Sequence, residues 1–121
     1  MSAITWVGVA LLGGAGAIAR FLFDGIVSSR AGRELPFGTF AVNISGALVL
    51  GLLSGLALTG DALVLAGTAT IGAYTTFSTW MFETQRLVEE GELAGAVGNA
   101  LVSVAVGIGA IALGRLIGTH L

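Results

Sequence analysis

Gly72-Ala73-Tyr74-Thr75-Thr76-Phe77-Ser78-Thr79-Trp80 is the stretch on which the reading of the chain turns. It sets four aliphatic hydroxyls and three aromatic rings into an otherwise apolar run. A polar group in hydrocarbon costs free energy unless it finds a partner, so a lipid-facing helix has no use for this many donors. Ser and Thr side chains also compete for helical backbone hydrogen bonds, and Gly72 loosens the backbone further. The stretch is expected to break or distort a helix that faces protein or a water-filled path. That makes it the first functional-site candidate.

The surroundings of this stretch are those of a membrane protein. The chain has 121 residues, 55% of them hydrophobic and 10% charged, with a mean hydropathy of +0.99. A soluble domain carries about 25% charged residues. One crossing of the hydrocarbon core takes about 20 apolar residues as helix, which leaves room for roughly four spans and no soluble domain. We expect one all-α transmembrane domain over residues 1–121, with spans at about 4–27, 37–58, 62–86 and 93–117. The first span lacks a basic leader and runs past signal-peptide length, so it reads as retained. Ser28 to Pro36 reads as a loop, and Asp61 as the N-cap of span three after a very short turn. Gly51 and Gly55, like Gly114 and Gly118, have the spacing of helix-packing contacts. Four spans place both termini on one side. Arg30, Arg33 and Arg86 fall in the loops after spans one and three, with Arg115 opposite, which favours cytoplasmic loops and outside termini. So slight a charge bias is compatible with insertion both ways round. A chain this small cannot enclose a wide lumen alone, so it is expected to oligomerise.

The residue inventory excludes several classes. There is no cysteine, hence no disulfide or thiolate metal site, and His120 is the only histidine, hence no histidine cluster or Ser-His-Asp triad. The chain does not read as an enzyme, and its net charge of −2 gives no sign of nucleic-acid binding. A proton-coupled carrier needs an ionisable group deep in the membrane, whereas Asp24, Asp61 and Glu83 all lie near span ends. Passive conduction of an anion past neutral donors fits better. Arg20 would then be a fixed positive charge at the mouth of the path, the plainer alternative being a snorkelling anchor. Asn43 is either a cross-helix hydrogen bond or an amide donor facing the pore. Phe77 and Trp80 share a helical face, and their partly positive ring edges suit an anion. Asn99 and Ser103 lie one turn apart on the last span.

These residues carry a resemblance that covers nearly the whole chain. Gly13-Gly14-Ala15-Gly16-Ala17-Ile18-Ala19-Arg20, Gly38-Thr39-Phe40-Ala41-Val42-Asn43-Ile44-Ser45-Gly46 and Thr75-Thr76-Phe77-Ser78-Thr79-Trp80 with Glu83 following resemble the Fluc (CrcB-type) fluoride channels. The resemblance implies an antiparallel, dual-topology dimer of four-helix subunits with the third helix broken and two fluoride pores at the interface. Arg20 would be the vestibule arginine. Asn43, Phe77, Ser78, Thr79, Trp80 and Ser103 would line the fluoride pore. Backbone carbonyls of Gly72 and Thr75 would hold a structural sodium ion at the dimer interface. The implied function is passive fluoride export through the cell membrane, giving fluoride resistance. The partner is a second copy or, as in two-gene members of the family, a paralogue. Two positions depart from the family pattern: Trp80 stands where Phe is usual, and Asn99 where span four usually carries Tyr.

Two other readings remain at this level. A small-multidrug-type, dual-topology cation/proton exchanger also has four short spans, but it needs a central carboxylate in its first span that this chain lacks. A non-conducting packing subunit would give no flux without a paralogue.

Overall fold

The computed structural model describes all 121 residues, as helices joined by short connections. Helix α1 spans Ala3–Ala31; Ser2 caps it by accepting the Thr5 N–H at 3.2 Å, and Gly32 ends it at φ 87°, a conformation that favours glycine. The helix therefore continues through Ser28–Ala31, and the expected loop begins at Gly32 instead. Helix α2 spans Phe37–Gly55 behind Pro36, the one proline, which suits a helix entry. It stops three residues short of the expected Leu58, where Ala57 N–H turns back to Ser54 O at 3.1 Å and Ala57 takes a φ of 57°.

Residues 60–89 are the least regular part. They comprise α3 (Gly60–Leu63), a π-helical segment (Val64–Ile71), α4 (Gly72–Tyr74) and α5 (Ser78–Glu89), with Thr75–Phe77 between the last two outside any helix. The backbone runs in helical form through Gly72, so the interruption falls at Thr75 and not at the glycine. Thr59, not Asp61, occupies the N-cap position of α3. The Asp61 carboxylate instead accepts the Thr5 hydroxyl at 3.0 Å, tying the start of this region to the start of α1. Helix α6 spans Leu93–Thr119. Three helices, α1, α2 and α6, are long and apolar enough to cross a membrane.

Burial is inverted relative to a soluble protein. Only 16 of 121 residues are buried, and large apolar side chains such as Ile4, Phe21 and Leu101 point outward, so this surface must meet lipid or protein. Backbone proximity builds the interior. Gly51 and Gly55 of α2 face Gly114 and Gly118 of α6, and a Cβ on any of them would overlap main-chain atoms of the opposite helix. The two glycine pairs are thus packing contacts within one subunit. Gly16 of α1 lies equally close to the Thr70 carbonyl of the π-helical segment. Val42, Leu87 and Ala96 form the small fully enclosed core.

Candidate functional site

The interruption at Thr75–Phe77 is held by α2. In a continuous helix the Thr76 N–H would bond to Gly72 O; here it donates to Asn43 Oδ1 at 2.8 Å, while Asn43 Nδ2 donates to Thr76 O at 2.8 Å. One side-chain amide thus replaces both lost backbone partners, which is what allows the chain to leave the helix inside an apolar environment. The Thr79 N–H, due in a helix to Thr75 O, donates to Thr76 Oγ1 at 3.2 Å and so caps α5. Tyr74 is pinned on the near side by Ser45, their hydroxyls 2.8 Å apart, and Gly46 leaves room for the Tyr74 ring and the Thr75 methyl group. Asn43 therefore makes the cross-helix bonds of one of its sequence readings and keeps one Nδ2 hydrogen unused.

The clamp leaves a consequence for the carbonyls. Gly72 O and Thr75 O receive no protein donor, because the N–H groups four residues on are diverted. Both residues line one open groove of about 530 Å3, together with Asn43, Thr76, Phe77 and Trp80. No three Asp, Glu or His side chains gather anywhere. A cation at this place would have to be held by neutral oxygens, and unpaired carbonyls at a helix break suit a hard ion such as sodium.

Phe77 and Trp80 meet edge to face, their ring centroids 5.6 Å apart and their planes at 79°. Phe77 is 70% exposed. Trp80 is fixed by a closed set of bonds: its Nε1–H donates to Asn99 O at 3.2 Å, Asn99 Nδ2 donates to Thr84 Oγ1 at 2.7 Å, and Thr84 Oγ1 donates to Trp80 O at 2.9 Å. The indole donor is thereby committed within the subunit.

The remaining predicted residues lie in other recesses. Arg20 and Thr79 line a cleft of about 200 Å3 with Asp24, Thr39 and Thr76. Arg20 is half-buried and makes no ion pair, the single salt bridge being Arg86–Glu90. Ser103 lines a cleft of about 300 Å3 with Phe37, Phe40 and Asn99, and its Oγ is buried without a partner. Ser78, at the exposed start of α5, lines none of the three. Sequence reasoning missed two features. One is the hydrogen bond from Thr39 Oγ1 to Glu83, which joins α2 to α5. The other is Thr84, whose spacing of four from Trp80 was the available signal.

Residues 7–115 match the family described as CrcB-like protein, Camphor Resistance (CrcB). The chain belongs to the CrcB family. Within that family it is 58% identical over 110 residues to a protein of Mycolicibacterium paratuberculosis named fluoride-specific ion channel FluC 2, covering 91% of this chain and 90% of the relative. A Mycobacterium tuberculosis protein of the same name is 54% identical over 112 residues, 93% of this chain and 89% of the relative. Fluoride-specific ion channel FluC 1 of Symbiobacterium thermophilum is 40% identical over 121 residues, 95% and 98% of the two chains. With its apolar helices, this CrcB chain is a multi-pass protein of the cell membrane.

Proposed function

We propose that the chain is a fluoride channel, conducting the ion passively out of the cell and so lowering its cytoplasmic concentration. The observation that carries the reading is the clamped break: Asn43, Thr76, Phe77 and Trp80 share one groove on a family fold whose relatives bear the name fluoride-specific ion channel. Fluoride is small and strongly hydrated, so a selective path must replace its water with several fixed donors. In this reading the spare Asn43 hydrogen and the edges of Phe77 and Trp80 act in the groove, the hydroxyls of Thr79 and Ser103 in the two neighbouring clefts and that of Ser78 outside all three, with Arg20 raising the local anion concentration. In this reading residues 60–89 are an interrupted third crossing, making four spans per subunit.

The groove is open and Phe77 in its lining is 70% exposed, which supports a second subunit closing it, in the proposed reading an antiparallel one with pores at the interface. A two-fold partner would double the Gly72 and Thr75 carbonyls to four, a fitting cradle for the structural sodium ion. The partner is a second copy or a paralogue.

The test is fluoride efflux from liposomes that contain this chain alone. The expected result is passive fluoride flux with little chloride flux. Equal permeability to the two ions refutes the channel reading, and flux only after adding a paralogue assigns the dimer to two genes.

A further inference from the structure

Trp80 brings an N–H on an aromatic ring to the lining of the groove, yet that N–H is turned to α6, where it donates to Asn99 O at 3.2 Å. Asn99 lines the neighbouring cleft and not the groove. An indole has no second donor, so the perimeter left to the groove is carbon-bound hydrogen, the same chemistry as the ring edge of Phe77. The hold on the indole follows from a count of protons. Thr84 has one hydroxyl proton and gives it to Trp80 O at 2.9 Å, so its oxygen can only accept from elsewhere. The Asn99 amide meets that oxygen with Nδ2 at 2.7 Å. One residue of α6 thus grips α5 twice, by its side chain at Thr84 and by its main-chain carbonyl at Trp80. All three residues are half-buried, which partly shields both bonds from water.

We propose that Thr84 and Asn99 are positioning residues for Trp80: their amide–hydroxyl bond sets α6 against α5 so that Asn99 O captures the indole N–H, keeps it off the anion path and leaves the groove only the C–H edge of the ring. A path for passing ions must bind them weakly enough to release them. A free indole N–H is a much stronger donor than a ring C–H, and its bond to an anion would be charge-assisted. Held as it is, Trp80 behaves chemically as a second phenylalanine. The two departures from the family pattern therefore compensate each other: the larger ring brings a donor, and Asn99, through Thr84, ties it down. The anion in this account rests on the channel reading; the positioning of the ring does not.

Two measurements separate these. The first needs no transport. The chain has two tryptophans, and Trp6, 60% exposed near the start of α1, can be replaced by Phe to leave Trp80 as the one indole. In that background the indole N–H resonance of Trp80 in detergent is expected to be that of a bonded, slowly exchanging proton. Thr84→Val and Asn99→Leu are each expected to shift it toward an unbonded indole and to speed its exchange. Thr84→Ser, which keeps the hydroxyl, is expected to leave it in place. A resonance unmoved by Thr84→Val and Asn99→Leu overturns the proposal, whether or not the chain conducts fluoride, and so does a Thr84→Ser protein that behaves like Thr84→Val. The second measurement is fluoride efflux from liposomes. Thr84→Val in the parent chain is expected to slow flux roughly tenfold, the scale of one hydrogen bond to a charged group. With Trp80→Phe already made there is no N–H to hold, and the same change is expected to cost under about twofold. An equal cost in both backgrounds overturns the positioning role. A parent chain that passes no fluoride while its indole responds as expected refutes the channel reading and supports the positioning.

Discussion

Replacing Asn43 by alanine tests the clamp at its centre. The change removes two interhelical bonds, to Thr76 N and Thr76 O, each 2.8 Å long. Hydrogen bonds between membrane helices are worth on average about 0.6 kcal/mol and at most about 1.7, so the pair contributes roughly 1–3 kcal/mol. The loss stays near that range because the orphaned Thr76 N–H has another acceptor within reach, Gly72 O, the bond it would make in a regular helix. Closing that bond heals the interruption and swings Phe77 away from its present seat. Asn43→Ala is therefore expected to lower the melting temperature in detergent by roughly 5 to 15 °C. It is also expected to cut fluoride efflux from liposomes by about tenfold or more, because an anion donor worth about 1.5 kcal/mol or more is lost together with the aromatic geometry. Asn43→Asp sharpens the comparison. It keeps the acceptor for Thr76 N–H but turns an oxygen toward Thr76 O, so it is expected to be no more stable than alanine. Parent-like melting and flux in Asn43→Ala, or parent-like stability in Asn43→Asp, would refute the clamp.

Phe77→Ala is expected to abolish most fluoride flux while changing subunit stability by only about 0.5 kcal/mol, since the ring is 70% exposed; a large drop in melting temperature without dimer loss would assign it to packing. Gly114→Val should cost about 3 kcal/mol or more, because its branched side chain would meet the Leu48 carbonyl and Leu52 backbone, which cannot swing aside, and detergent melting reads it directly. Exchanging sodium for a bulky organic cation during purification is expected to lower stability by about 2.7 kcal/mol if sodium was present at a hundred times its dissociation constant; an unchanged melting curve removes the ion from the proposal.

How far the fold was legible in the sequence depends on which force decides each element. The long apolar helices followed from hydropathy, because lipid demands about 20 apolar residues of every crossing. Their ends did not. The final turn of α1, Ser28–Ala31, is polar yet helical, and hydropathy reports the solvent a residue suits, not the helix. The π-helical register of Val64–Ile71 was invisible for a different reason. It depends on tertiary contact, with Gly16 of α1 against the Thr70 carbonyl, and on Thr70 Oγ1 donating to Leu65 O at 2.7 Å. The motif residues were legible as types and only partly as roles. Asn43 could be a cross-helix bond or a pore donor; its 2.8 Å contacts with Thr76 show the first role and leave one Nδ2 hydrogen for the second. Trp80, one of two departures from the family pattern, was suspect as a site; the structure joins it to the other departure, Asn99, in one hydrogen-bonded set.

That pairing also bears on why the interruption is tolerated at all. A break in an apolar helix exposes donors and acceptors together, and a chain that satisfies both gains nothing chemically from breaking. Here the two are treated differently. The N–H groups of Thr76 and Thr79 are captured by Asn43 Oδ1 and Thr76 Oγ1, side chains within the subunit, while the carbonyls of Gly72 and Thr75, two residues that line the groove, receive no donor. On the proposed reading, such one-sided satisfaction would offer a cation two backbone carbonyls, beside rings whose positive edges suit an anion. Bare carbonyls in hydrocarbon cost roughly 1–3 kcal/mol each; in the proposed dimer an isolated subunit would carry that cost and a cation shared with a second copy would remove it. On this argument the ion and the dimer are one requirement. The dimer should loosen when sodium is withdrawn, and it should not loosen further when Asn43→Ala has already returned Thr76 N–H to Gly72 O.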